Sequence, residues 1–237
     1  MENSSSEFHL KYSFNFGGNI EKSFDVNLDS KTLFILDSGN SKTPDWALLK
    51  EFKCSNCPLE SSSTLYCPLA KHLAVVIEFF QNLPSFQEVT VRVESNERTT
   101  YKNTTVQIGV GSLMGIIMSC SGCPIVGKLR SLVRFHVPFA MLEETEYRVI
   151  SMYVFAQYLK LLKGEETDWD LKNLKSLYEN IQVVNKNIVN QLSDIEMNDT
   201  SRNAVVTLSN FAEYIMWNLE GIEHLHLEEF INSFYEI

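Results

Sequence analysis

Hydrophobic and polar positions change their period along this chain, and the change splits it into a strand half and a helix half. Phe8, Leu10, Tyr12, Phe14 and Phe16 alternate with His9, Lys11, Ser13 and Asn15. A period of two marks a strand with one buried face. Gly17 and Gly18 supply a turn, after which Phe24, Val26 and Leu28 alternate with Asp25 and Asn27 on a returning strand. Residues 33–36 predict a third short strand, and residues 38–45, rich in Ser, Asn, Lys and Pro, a connection. Residues 46–67 carry little periodicity. Leu69, Leu73, Val76, Ile77 and Phe80 then recur at helical spacing. Val89, Val91 and Val93 alternate with Thr90, Arg92 and Glu94, and residues 99–106 form the partner strand, so a second hairpin extends the first sheet.

From residue 107 the period becomes helical. Residues 108–118 predict a short, Gly-containing apolar helix, and residues 124–135 another, with Lys128, Arg130 and Arg134 polar. A third covers residues 143–163; because it is apolar nearly all round from Val149 to Leu162, it is expected to be central and buried. Residues 168–195 give the clearest pattern. Thr167 and Asp170 fit a capping box, and Leu171, Leu174, Tyr178, Ile181, Ile188, Leu192 and Ile195 keep a 3–4 spacing, with Asn185 at the remaining seam position. Residues 200–219 and 222–235 complete the set. The fold class is therefore α+β: an N-terminal antiparallel β-sheet of two hairpins followed by a helical bundle of five to six helices. Residues 1–106 form the β-rich part with a cysteine loop and one helix, and residues 107–237 the bundle, packed with it as one unit.

Composition narrows the function classes. Hydrophobic residues make up 44% and charged residues 21% of the 237, enough to bury an ordinary core. The net charge of -10 repels phosphate backbones and anionic lipid, so neither nucleic acid nor membrane is an expected partner. The polar start, with Glu2 and Glu7, lacks the basic and apolar stretches of a secretory signal, which places the protein in the cytoplasm with reduced thiols. In that setting the Asn-X-Thr triplets at Asn103 and Asn198 carry no glycan. The seam on residues 171–195 and the last helix offer surfaces for a homodimer, where Asn185 can fix register.

Reduced thiols make the five cysteines the most informative residues. Cys57, Cys67 and Cys123 are each followed by proline. Pro favours the first position of a helix, which puts Cys67 and Cys123 at N-caps, where the helix dipole stabilises thiolate. Cys54-Ser-Asn-Cys57 has the two-residue gap that lets both sulfurs face one ion. Cys54, Cys57, Cys67 and Cys123 are accordingly expected to form a metal site. Structural zinc, stapling the loop to the helices, is the favoured occupant. An iron–sulfur cluster is the second, and free or redox-active thiols packed as small hydrophobes the third. His72 can substitute as a ligand but reads better as a helix-surface residue, and Cys120 as a packed residue rather than half of a second CxxC.

Other polar features matter less or differently. Gly109-x-Gly111-x-x-x-Gly115 departs from the dinucleotide-binding spacing and points to close helix packing, so no cofactor-binding residue is assigned. His136, Glu144, Tyr147 and Arg148 gather just before the apolar helix and can line a pocket, with His136 or Glu144 as acid or base. The competing reading is a Glu144–Arg148 pair at a capped helix start. Ser151 and Gln157 need partners if buried. His224 and His226 diverge on a helix and are not a metal pair.

The order Lys22-Ser-Phe-Asp-Val, Cys54-x-x-Cys57-Pro-Leu, Cys67-Pro-x-Ala70, Thr105-Val-Gln, Ser121-Gly-Cys123-Pro, Phe135-His-x-Pro-Phe-Ala140, Glu144-Thr-x-Tyr-Arg148, Ser151-Met-Tyr and Asp168-Trp-Asp-Leu resembles an uncharacterised bacterial family of domains of unknown function. The likeness runs over residues 10–213. It implies a four-cysteine set of Cys54, Cys57, Cys67 and Cys123, with Cys120 and the segment from residue 220 as departures, and it implies no reaction. Two classes stay open: a metal-stabilised binding or regulatory module, and an enzyme or redox protein using an iron–sulfur cluster, thiols or the His136 pocket.

Overall fold

A computed structural model describes residues 7–36, 42–195, 199–220 and 225–236; His224 and the side chain of His226 lie outside what is described. The first alternating stretch is strand β1 (Glu7–Asn15) and the second β2 (Glu21–Asp29). Gly17, Gly18 and Asn19 all take positive φ in the turn between them, a conformation glycine adopts without steric cost. The later hairpin is β3 (Glu88–Glu94) and β4 (Thr99–Thr105). All pairings are antiparallel in the order β2-β1-β3-β4, so β1 is an inner strand bonded on both sides. Its inward side chains Phe8, Leu10, Tyr12 and Phe14 are buried, as the alternation requires. β4, reading TTYKNTT, is polar and suits an edge. The third strand expected over residues 33–36 is reduced to one bridge, Leu28 to Ile35.

Helix α1 (Leu49–Phe52) is a single turn in the cysteine loop, and α2 (Pro68–Phe80) opens with Cys67 at its N-cap and Pro68 at N1. α3 (Val106–Cys120) follows β4 directly and is the central helix, with eleven of its fifteen residues buried. Its glycines explain how. A Cβ on Gly109 would stand 2.6 Å from Phe14 Cε1 and 2.8 Å from Val91 Cγ2, while Gly111 and Gly115 face Ala204 and Leu208. α3 therefore touches the sheet with one side and α6 (Thr200–Glu220) with the other. The glycine pattern serves packing.

Residues predicted as an α-helix over 124–135 form a 3-10 stretch, Val126–Phe135. α4 (Leu142–Leu162) holds the largest departure in the fold. Expected to be central, it lies at the surface against α6 and the 3-10 stretch, and Phe155 and Leu162 are 58% and 65% exposed. An all-apolar helix buries itself only when elements exist to cover both sides. Here α3 has taken the central place, and α4 keeps one uncovered side. Gln157 is buried and accepts the Asp168 backbone N–H at 3.0 Å, whereas Ser151 is exposed.

α5 (Lys172–Ile195) packs along α6 through the predicted seam, with Leu174, Tyr178, Ile181, Ile188 and Leu192 buried. The cap falls to Asp168 rather than to Thr167 and Asp170: its carboxylate accepts the N–H groups of Lys172 (3.1 Å) and Asn173 (2.8 Å). α7 (Leu225–Ile231) and a 3-10 turn, Asn232–Glu236, end the described chain. Among the described residues no helix is long and apolar enough to cross a membrane.

Candidate functional site

α3, the 3-10 stretch, α4, α5 and α6 line a half-open cavity of about 370 Å³, within the range of small-molecule sites. Its wall is mostly aliphatic and aromatic, from residues such as Ile116, Leu129, Phe139, Ile181, Phe211 and Ile215. A few polar groups interrupt it. Arg148, on the inward side of α4, sends Nη2 to the carbonyls of Leu132 (2.8 Å) and Phe135 (3.0 Å), where the 3-10 stretch leaves acceptors open. Burial pulls the Arg148 pKa down, and nearby Glu144 opposes the shift. Glu144 does not pair with it directly: its carboxylate accepts the Met141 N–H at 2.7 Å and caps α4. Among the described residues no carboxylate lies within ion-pair distance of Arg148, and its remaining N–H donors have no acceptor.

His136 lies at the end of the 3-10 stretch and lines the same cavity. Its Nε2 is 2.8 Å from the Tyr12 hydroxyl, which is 3.0 Å from Ser112 Oγ; that oxygen accepts the Phe139 N–H at 3.4 Å. Burial, reinforced by the Arg148 charge, pulls the His136 pKa down to about 3, so the ring is neutral. Desolvation pushes the Tyr12 pKa up, so its hydroxyl keeps its proton. Desolvation pushes Tyr178 on α5 up as well, against the pull of nearby Arg148. Asn185, two turns further along α5, is 1% exposed and lines the cavity, and its Oδ1 has no hydrogen-bond partner. Of the four expected pocket residues, His136 and Arg148 meet here. Glu144 is a capping residue, and Tyr147 is 50% exposed and absent from the cavity wall.

The expected metal centre is overturned. Cys54, Cys57, Cys67 and Cys123 do converge on a void of about 10 Å³, and their charges would act on one another. Yet among the described residues no group of three or more His, Cys, Asp or Glu is placed to hold a metal ion, and all five cysteines are free. The zinc and iron–sulfur assignments fall with that, as does the redox alternative. The physical reason lies in burial. Desolvation pushes the thiols of Cys54 and Cys67 up to about 12 and 11, and Cys123 up as well. The N–H groups of Leu69 and Ala70 at the Cys67 cap pull the other way and are outweighed. A thiol held protonated in this way is a poor nucleophile. The four pack as small apolar groups between the loop and α5, where Asn187 donates to the Phe52 carbonyl at 3.1 Å and Asn56 to Asn180 at 2.9 Å. Cys120 is fully buried at the end of α3, and His72 is half-buried on α2.

The profile of a family described as Domain of unknown function (DUF6901) matches residues 10–234. The chain belongs to the DUF6901 family. The match extends past the residue-213 limit of the sequence likeness and includes the C-terminal segment that had read as a departure. No curated protein and no solved structure matches this DUF6901 chain.

Two residues of the cavity wall, Tyr178 and Asn185, and one behind it, Tyr12, escaped the sequence reading as site residues. Tyr12 carried a signal: a tyrosine on the buried phase of an inner strand must find a partner for its hydroxyl. Asn185 interrupted an otherwise apolar seam, and such a residue is either paired or exposed to a cavity. Tyr178 carried no signal, because tyrosine at a seam position looks like ordinary core.

Proposed function

We propose that this DUF6901 protein binds a small, largely apolar molecule bearing a carboxylate, held in the cavity beneath α4. Arg148 carries the reading. A guanidinium that is half withdrawn from water, faces an apolar cavity and has donors to spare is completed by an anion. Neutral His136 and the Tyr178 hydroxyl supply further hydrogen bonds at that end, and the aliphatic wall takes the body of the ligand. Octanoate tests this by titration calorimetry. It is expected to bind, with octanol weaker by about 30-fold, since a charge-assisted hydrogen bond contributes about 2 kcal/mol. Arg148→Met is expected to lose the same factor for octanoate and to leave octanol unchanged. Equal binding of the acid and the alcohol to the unaltered protein sinks the reading.

A second reading concerns α4 itself. Tyr147, Phe155, Tyr158, Leu159 and Leu162 form an outward stripe, each about half exposed. No Asp, Glu, Lys or Arg occurs from Val149 to Leu159, so two copies of this acidic chain can meet there without opposing like charges. Side chains of this size expose about 100 Å² each. Two stripes together hide about 1000 Å², the lower bound for a specific interface. We infer a homodimer through α4. Sedimentation equilibrium is expected to show a dimer, which Phe155→Asp converts to monomer while the far-UV spectrum is unchanged. A monomer at all protein concentrations for the unaltered chain refutes it.

A further inference from the structure

Tyr178, Ile181 and Asn185 are spaced three and four apart on α5, so they share one face, and all three line the cavity. Tyr178 neighbours Arg148, which fixes the anionic end of the cavity. Asn185 stands seven residues further, about 10 Å along the helix at 1.5 Å per residue. Between them the wall is apolar, with Ile181 on α5 and Ala212 and Ile215 on α6. The cavity thus has two polar ends and an apolar middle.

The Asn185 end is unfinished. Oδ1 is buried without a hydrogen-bond partner, and Asn185 is 1% exposed. An apolar residue there would extend the seam; the amide instead leaves a buried acceptor without a partner at the cavity wall, which is unfavourable until something polar pairs with it. A hydroxyl matches, since it donates to Oδ1 and accepts from the amide nitrogen. An extended carbon chain advances about 3.8 Å per three bonds, so about eight bonds bridge the two ends.

From this we infer the ligand class: an apolar carboxylate that also carries a hydroxyl about eight bonds from the carboxyl carbon, with Arg148 and Tyr178 at the acid and Asn185 at the hydroxyl. The inference rests on the carboxylate reading above and extends it to the far end of the cavity.

Three probes decide it by calorimetry: octanoate, 8-hydroxyoctanoate and 2-hydroxyoctanoate. The 8-hydroxy acid is expected to bind at least tenfold tighter than octanoate, and the 2-hydroxy acid to gain nothing, because its hydroxyl sits at the wrong end. In Asn185→Leu the tenfold preference disappears, octanoate binds at least as well as before, and the melting temperature does not fall, because an unpaired buried amide has been replaced by an apolar group. Octanoate binding with no preference for the 8-hydroxy acid overturns this inference and leaves the carboxylate reading standing. Failure of octanoate itself to bind overturns both. A preference that survives in Asn185→Leu places the hydroxyl elsewhere and refutes the assignment of Asn185.

Discussion

Lowering the pH from 7 to 4 is expected to remove about 3 kcal/mol of folding stability through His136 alone. The folded ring binds a proton only near pH 3, whereas its ordinary value is 6.5. Above 6.5 both folded and unfolded chains hold a neutral imidazole, and the residue makes no difference. Below it the unfolded chain takes up a proton that the folded chain refuses, so stability falls by up to about 1.4 kcal/mol per pH unit until the folded value is reached. Two causes hold the ring neutral: its burial and the Arg148 charge. The other charged groups lining the spaces beside it are Lys102, Arg134, Arg98 and a single carboxylate, Glu97, a cationic excess that does not favour a second cation. Denaturant titrations between pH 4 and pH 7 measure the effect. His136→Gln keeps a polar partner for Tyr12 but cannot titrate, so its stability should decline less steeply by about one proton's worth. Equal slopes for the two proteins exclude His136 as the source.

The second large effect is on thiol reactivity. With Cys54 at about 12 and Cys67 at about 11, against an ordinary value of 9.0, the reactive thiolate is scarcer in the folded protein by about 1000-fold and 100-fold. Cys120, pushed to about 12 by burial, should behave as Cys54 does. Iodoacetamide labelling near neutral pH, followed by peptide mass analysis, should therefore modify these three at least about 100-fold more slowly in the folded chain than in urea. Labelling within tenfold of the unfolded rate would mean that helix-cap donors outweigh burial, contrary to what the geometry implies.

Both effects come from residues whose neighbours lie far away in the chain, and this marks the boundary of what patterning discloses. The two hairpins, α2, α5 and α6 were legible because each buries one face, and a one-faced element writes its period into the sequence. The Pro68 signal correctly placed Cys67 at an N-cap, since that depends on two adjacent residues. The 3-10 form of Val126–Phe135 was not legible, because the two helical types share nearly the same apolar spacing. α4 was misplaced for a related reason: a helix apolar on all sides carries no direction, and composition cannot say how many neighbours will cover it.

The candidate site divides in the same way. Arg148 and His136 were found because unlike polar groups clustered in sequence beside an apolar run. Tyr12 lies 124 residues from the ring it bonds, and Tyr178 and Asn185 looked like seam. The thiolate argument failed twice: Ile125, not Cys123, is the N-cap of the 3-10 stretch, and at Cys67 burial outweighs the cap that does form. The sequence by itself determined the α+β class, the antiparallel pairing of local hairpins and the convergence expected of four cysteines. Only the tertiary structure decided that α3 rather than α4 is central, that burial raises the pKa of Cys54, Cys67, Cys120 and Cys123, and that Arg148 on α4 and Asn185 on α5 line one cavity. Period is a property of neighbouring residues, whereas burial, charge state and enclosure depend on what the rest of the chain brings alongside.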